Sequence, residues 1–155
     1  MAGTGLRRAP LLALSLLGLS GCAQMSGHLS GEQDQEKWQV HYARSGGFAG
    51  EQKTLTLNSQ GGVVIADNRQ GKWLMRNLSP AEVRPVAASL RDLMAGSTAA
   101  GSPAAVCADC LRYKLDIVWK GQRQQATFDD RSLPSSAYAP LVNQLNVLIN
   151  RYPPQ

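Results

Sequence analysis

Three cysteines, two histidines and the adjacent aspartates Asp129 and Asp130 are the residues of this 155-residue chain that invite chemistry. Cys107-Ala-Asp-Cys110 has the spacing of a thiol-redox pair. Such a pair works at a helix N-terminus, where the dipole lowers the thiol pKa, whereas a strand pattern follows this one. Zinc would need two further ligands close in space, and none is apparent. The favoured reading is a short structural disulfide at the start of a strand, with thiol-redox chemistry as the alternative. Closing so few residues stabilises by only about 2 kcal/mol in the chain-entropy model, so its main effect is on the direction of the loop. His28 and His41 belong to no H-E-x-x-H pattern. His28 lies in a polar stretch with no metal partner nearby and reads as solvated. Successive strand residues point to opposite faces, so Asp129 and Asp130 end a strand or cap a turn and do not share a proton. Gly46-Gly47 and Gly61-Gly62 lack the Gly-Lys-Ser/Thr of a phosphate cradle. No catalytic set, metal site or cofactor is expected.

Cys22 carries a different chemistry. Arg7 and Arg8 precede an apolar run over residues 9–19, broken only by Pro10, Ser15 and Gly18. A basic start, a short apolar core and small residues before a cut site describe an export signal. Eleven helical residues would reach about 17 Å, roughly half of the hydrocarbon thickness, so the run does not span a bilayer. Leu19-Ser20-Gly21-Cys22 resembles the lipobox of bacterial lipoproteins. That resemblance implies that Cys22 becomes the first mature residue, with diacylglycerol on Sγ and a further acyl chain, such as palmitate, on its amine. Anchoring by more than one chain is stable where a single chain is marginal. Ala23, where an aspartate would signal retention, resembles sorting to an outer membrane facing the periplasm in a cell that has two membranes.

Residues 22–155 suffice for one domain. Sixteen Lys+Arg stand against eleven Asp+Glu; removing Arg7 and Arg8 with the leader leaves a net charge of +3. The basic residues are scattered from Lys37 to Arg151, without the stripe of a nucleic-acid binder, so that class is rejected. Residues 23–36 are Ser, Gly, Gln and acids without apolar periodicity, a tether reaching roughly 20 Å as a flexible coil. Trp38, Val40, Tyr42 and Arg44 alternate as a half-buried strand, interrupted by Ser45-Gly-Gly-Phe-Ala-Gly50, with Phe48 either displayed or tucked in. Further strands are predicted over 53–57, 63–67 and 72–76. Ser79, Pro80 and Glu82 form a helix start with a capping box. Val83, Val86, Ala87, Leu90, Leu93 and Met94 share its inner face, and Gly96 ends it. Residues 97–105 read as a mobile loop. Leu111, Tyr113, Leu115, Ile117 and Trp119 give the strongest strand signal, turning at Lys120-Gly121 into 122–128. The last helix is predicted over about 140–150, with Leu141, Val142, Leu145, Leu148 and Ile149 inward. Short turns between successive strands imply antiparallel pairing. The result is an α+β domain in which two helices cover a sheet of about four to six strands.

Residues 38–152 resemble the emfourin family, small proteinaceous inhibitors of protealysin and related thermolysin-like metallopeptidases. The resemblance rests on Arg44-Ser-Gly-Gly-Phe-Ala-Gly50 after the first strand, and on Asp109 with Tyr113-Lys-Leu115 at the late hairpin. It ends with Phe128-Asp-Asp130, Pro134, Leu141 and Leu145. It implies a compact α+β fold and a binding role without catalysis, in which preorganised loops fill a protease cleft. The candidate contact elements are Gly46, Gly47, Phe48 and Gly50, together with the 96–110 loop if a disulfide stiffens it. The lipid anchor, the longer N-terminal region and the Cys107/Cys110 pair depart from that pattern. Three functions remain in view: an anchored metallopeptidase inhibitor, an envelope lipoprotein that binds another protein or assists envelope assembly, and a thiol-redox lipoprotein that rests on Cys107 and Cys110 alone.

Overall fold

The computed structural model describes residues 36–96 and 107–155; Cys22, His28 and the expected 97–105 loop lie outside them. These described residues all belong to one compact unit. Its strands are β1 (Trp38–Gly46), β2 (Glu51–Asn58), β3 (Gly62–Asp67), β4 (Lys72–Asn77), β5 (Leu111–Trp119) and β6 (Gln122–Asp129). Helix α1 (Pro80–Ala95) separates β4 from β5, and α2 (Ala139–Arg151) follows β6 after a short 3-10 turn at Leu133–Ser135. All six strands form one antiparallel sheet in the order β4-β3-β2-β1-β5-β6. The α+β expectation therefore holds, with six strands.

Alternation sets which face is covered. Val40 pairs with Leu57 on one side and Ile117 on the other, and Tyr42 with Leu55 and Leu115, so the three central strands present continuous apolar rows. These residues are all fully buried, as are Leu90 of α1 and Leu141, Leu145 and Ile149 of α2. The intervening residues Gln39 and His41 face the uncovered side and are exposed. The late hairpin turns on Lys120 (φ 49°) and Gly121 (φ 81°). Two left-handed residues make the turn whose twist matches that of its strands.

At the start of helix α1 the Ser79 N–H donates to Glu82 Oε2 at 2.9 Å, the carboxylate half of a capping box, and the Ser79 hydroxyl donates to the same oxygen at 2.8 Å. Val83, Val86, Leu90 and Leu93 are its buried residues. It does end at Gly96, but in an extended conformation (φ −82°) and not the left-handed one that glycine makes available. A second correction concerns β1. Ser45 and Gly46 were expected in the interrupting loop, yet they pair with Gln52 and Glu51 on one side and with Arg112 and Leu111 on the other. Pairing on both edges carries the strand through the first glycine and leaves a turn of only residues 47–50.

Candidate functional site

The strand order brings four segments to one end of the sheet: residues 47–50 between β1 and β2, residues 68–71 between β3 and β4, residues 107–110 ahead of β5, and residues 130–132 after β6. Phe48 stands at the centre of this end and is 99% exposed. Its turn is closed by the Gly50 N–H donating to the Gly47 carbonyl at 3.0 Å. Gly47 (φ 68°) and Gly50 (φ 60°) flank Phe48 and Ala49. Glycine takes such angles without steric penalty, which leaves Phe48 free to point outward. Gly46 belongs to β1, and it is required there for a second reason: a Cβ on it would sit 2.8 Å from the Cys110 carbonyl oxygen.

That oxygen also holds the turn, accepting the Gly47 N–H at 3.2 Å. Cys110 is in turn bonded to Cys107, with Cα atoms 5.4 Å apart. The cysteine pair is thus a disulfide at the start of a strand, and it abuts the aromatic turn. Across the tip, the Arg69 guanidinium donates to the Ala49 carbonyl. Asp130 fixes the start of β5, accepting the Leu111 N–H at 2.7 Å and the Tyr113 hydroxyl at 2.5 Å. Asp129 turns the other way, is buried, and accepts the N–H and hydroxyl of Ser132, both at 2.8 Å. Those Ser132 bonds, the backbone one first, hold its carboxyl below the usual carboxylate value. The two aspartates therefore cap different turns, as their alternation predicts.

Beneath the tip, Arg44 is buried at the fourth inward position of β1. Its Nη2 lies 2.7 Å from Glu51 Oε2, and its Nη1 donates to Asn146 Oδ1 of α2 at 2.9 Å. The Tyr42 hydroxyl donates to the same Asn146 oxygen at 2.8 Å. Burial pushes the Tyr42 phenol well above its ordinary value; burial and then the Asp130 carboxylate do the same for Tyr113. Both rings stay neutral donors. This network was missed from the sequence, although a cation at an inward position of an alternating strand signals a buried partner.

Among the described residues no group of His, Cys, Asp and Glu is placed to hold a metal. His41 lies on the uncovered face with Nδ1 3.0 Å from Thr56 Oγ1. No helix among the described residues is long and apolar enough to cross a membrane. Compared with known proteins, the chain matches no family model and no curated sequence.

Proposed function

We propose that this chain is a lipid-anchored, non-catalytic binding protein of the bacterial envelope that inhibits a thermolysin-like metallopeptidase. Its anchor is Cys22, its location an outer membrane facing the periplasm where the cell has one, and its contact element the turn at residues 47–50. One observation carries the binding half: Phe48 is 99% exposed at the apex of a turn fixed from both sides, by Cys110 and by Arg69. A large aromatic held in water by a rigid turn loses little conformational freedom on docking, and such residues dominate binding energy. The resemblance of 44–50, 109–115 and 128–145 to emfourins supplies the kind of partner, an extended protease cleft with an apolar pocket.

The test is a titration of thermolysin and of a protealysin-type enzyme with the soluble chain 23–155, followed with a small chromogenic peptide. Stoichiometric loss of activity is expected. Phe48→Ala should weaken inhibition by roughly 30-fold or more, the effect of removing an aromatic anchor worth about 2 kcal/mol. Undiminished turnover of both enzymes at excess protein refutes inhibition and leaves an envelope lipoprotein that binds another protein.

A further inference from the structure

Asp109 lies at the same end of the sheet as Phe48 and differs from the other acids of the strands and turns there. Glu51 pairs with Arg44, and Asp67 accepts the Gln70 N–H at 3.1 Å. Asp129 accepts from Ser132, and Asp130 from Leu111 and Tyr113. Asp109 is exposed, and among the described residues it makes no hydrogen bond and no ion pair. An exposed acid is ordinary; a confined one is not. Asp109 stands inside the ring closed by the Cys107–Cys110 disulfide, and the carbonyl of Cys110, the next residue, accepts the Gly47 N–H at 3.2 Å. The free carboxylate and the Phe48 ring are thus carried by two segments joined backbone to backbone. Their exposed neighbours Ala108 and Ala49 are small, which leaves both groups accessible.

We infer that Asp109 is a second contact residue, whose carboxylate ligates the catalytic zinc of the metallopeptidase while Phe48 fills an apolar pocket beside it. The inference rests on the inhibitor reading proposed above and deepens it. A catalytic zinc holds three protein ligands and leaves one position for water or substrate. A carboxylate oxygen can take that position: its lone pair binds the metal, the water leaves, and no bond in either protein is broken. The aspartate side chain presents no scissile bond, so the enzyme is occupied without turnover. Zinc and apolar pocket together select an anionic oxygen and an aromatic ring offered at once. Asp109 and Phe48 are such a pair, and the disulfide and the bond from Gly47 to Cys110 hold their backbones before docking, which lowers the ordering cost of association. A free carboxylate could also meet a fixed cation of the cleft. The two cases differ in whether the contact depends on the metal.

The test titrates thermolysin calorimetrically with the oxidised chain 23–155, once with zinc in place and once with zinc stripped and calcium retained. That chain is suitable because the buried core runs from Trp38 to Ile149 within one compact unit. Wild type should bind the zinc form roughly 30-fold more tightly than the stripped form, the scale of one anchoring contact. Asp109→Asn keeps the size and removes the charge. It should lose that factor on the zinc form and match wild type on the stripped form, with its thermal transition in place. Phe48→Ala should weaken binding to both forms alike. With cobalt in place of zinc, wild type should change the visible absorption of the metal, and Asp109→Asn should not. Equal binding of Asp109→Asn and wild type to the zinc form overturns the inference and leaves inhibition through Phe48 standing. So does an equal loss on both forms, which marks an ion pair with a cation of the cleft. A wild-type chain that binds neither form overturns the inhibitor reading and this inference together.

Discussion

Gly46→Ala is the substitution that isolates the brace between the aromatic turn and the disulfide segment. At φ 92° a side chain strains the backbone, about 1–2 kcal/mol for a residue held left-handed. The new Cβ would also stand 2.8 Å from the Cys110 carbonyl oxygen, which is backbone and cannot rotate away. Relief requires β1 and the disulfide segment to part, stretching the 3.2 Å bond from the Gly47 N–H to that same oxygen. Losing one such bond adds about 1 kcal/mol, for a total of about 2–3 kcal/mol. Gly71→Ala is the control. It shares a positive φ (65°) but has nothing within 4 Å of a new Cβ, so it should lose only about 1 kcal/mol. Urea unfolding of both variants against wild type reads the difference as a shift in midpoint at unchanged slope. Protease titration should show weaker inhibition for Gly46→Ala and none of that loss for Gly71→Ala. Equal stability of the two variants would refute the close approach as an energetic contact, and with it the claim that Cys110 pins the tip.

Three more outcomes follow from contacts elsewhere in the domain. Glu82 is held down to about 2, first by the Tyr152 hydroxyl and then by the Ser79 N–H and hydroxyl. A depressed folded-state pKa contributes stability that is complete above the ordinary value of 4.5 and is lost as pH falls from there towards about 2, because the unfolded chain takes up the proton first. Glu82→Gln should therefore flatten the acid limb of a stability–pH curve within that window; an unchanged limb refutes it. Asn146→Ala removes the oxygen shared by Tyr42 and Arg44 and should cost about 2–4 kcal/mol in urea unfolding, since two buried donors lose their partner; a loss under about 1 kcal/mol would show that water replaces it. Cys107→Ser should lower stability by about 2 kcal/mol or less while weakening protease inhibition, because the Cys110 carbonyl loses its covalent support; an unchanged inhibition constant would uncouple the disulfide from the tip.

How much of this was legible follows from which signals are local. Alternation in 38–44 and 111–119, the Ser79-Pro80-Ala81-Glu82 start of α1 and the Lys120-Gly121 turn each depend on neighbours within a few residues, and each appears where expected. The separation of Asp129 from Asp130 follows from the same period of two. Phe48 was undecidable from its neighbours, because three glycines license either an inward or an outward ring, and only the packing of Cys110 and Leu111 beside Gly46 and Gly47 leaves the outward one. The bounds of β1 failed for a related reason. Glycine weakens an isolated strand, but Gly46 is held by a partner on each side, one of which arrives from far along the chain. The Arg44–Glu51–Asn146 network needed the position of α2, which periodicity does not supply.

The partner from far along the chain is what braces the tip. Were the late hairpin added beyond β4, the sheet would still be antiparallel and still be covered by two helices, but Cys110 would lie four strands from Phe48. Insertion beside β1 instead places the disulfide segment against Gly46 and Gly47, and Asp130 behind it. The β1–β2 hairpin has a four-residue connection, whereas β1–β5 pairing must first close a loop containing β2, β3, β4 and α1. Local contacts of the first kind form early, and non-local ones bear the closure entropy. The turn that displays Phe48 is thus specified within a few residues of sequence, while the bracing on which the proposed docking relies exists only in the completed sheet. Hydrogen exchange at the Gly47 N–H should accordingly follow opening of the β1–β5 ladder and not fraying of the β1–β2 hairpin.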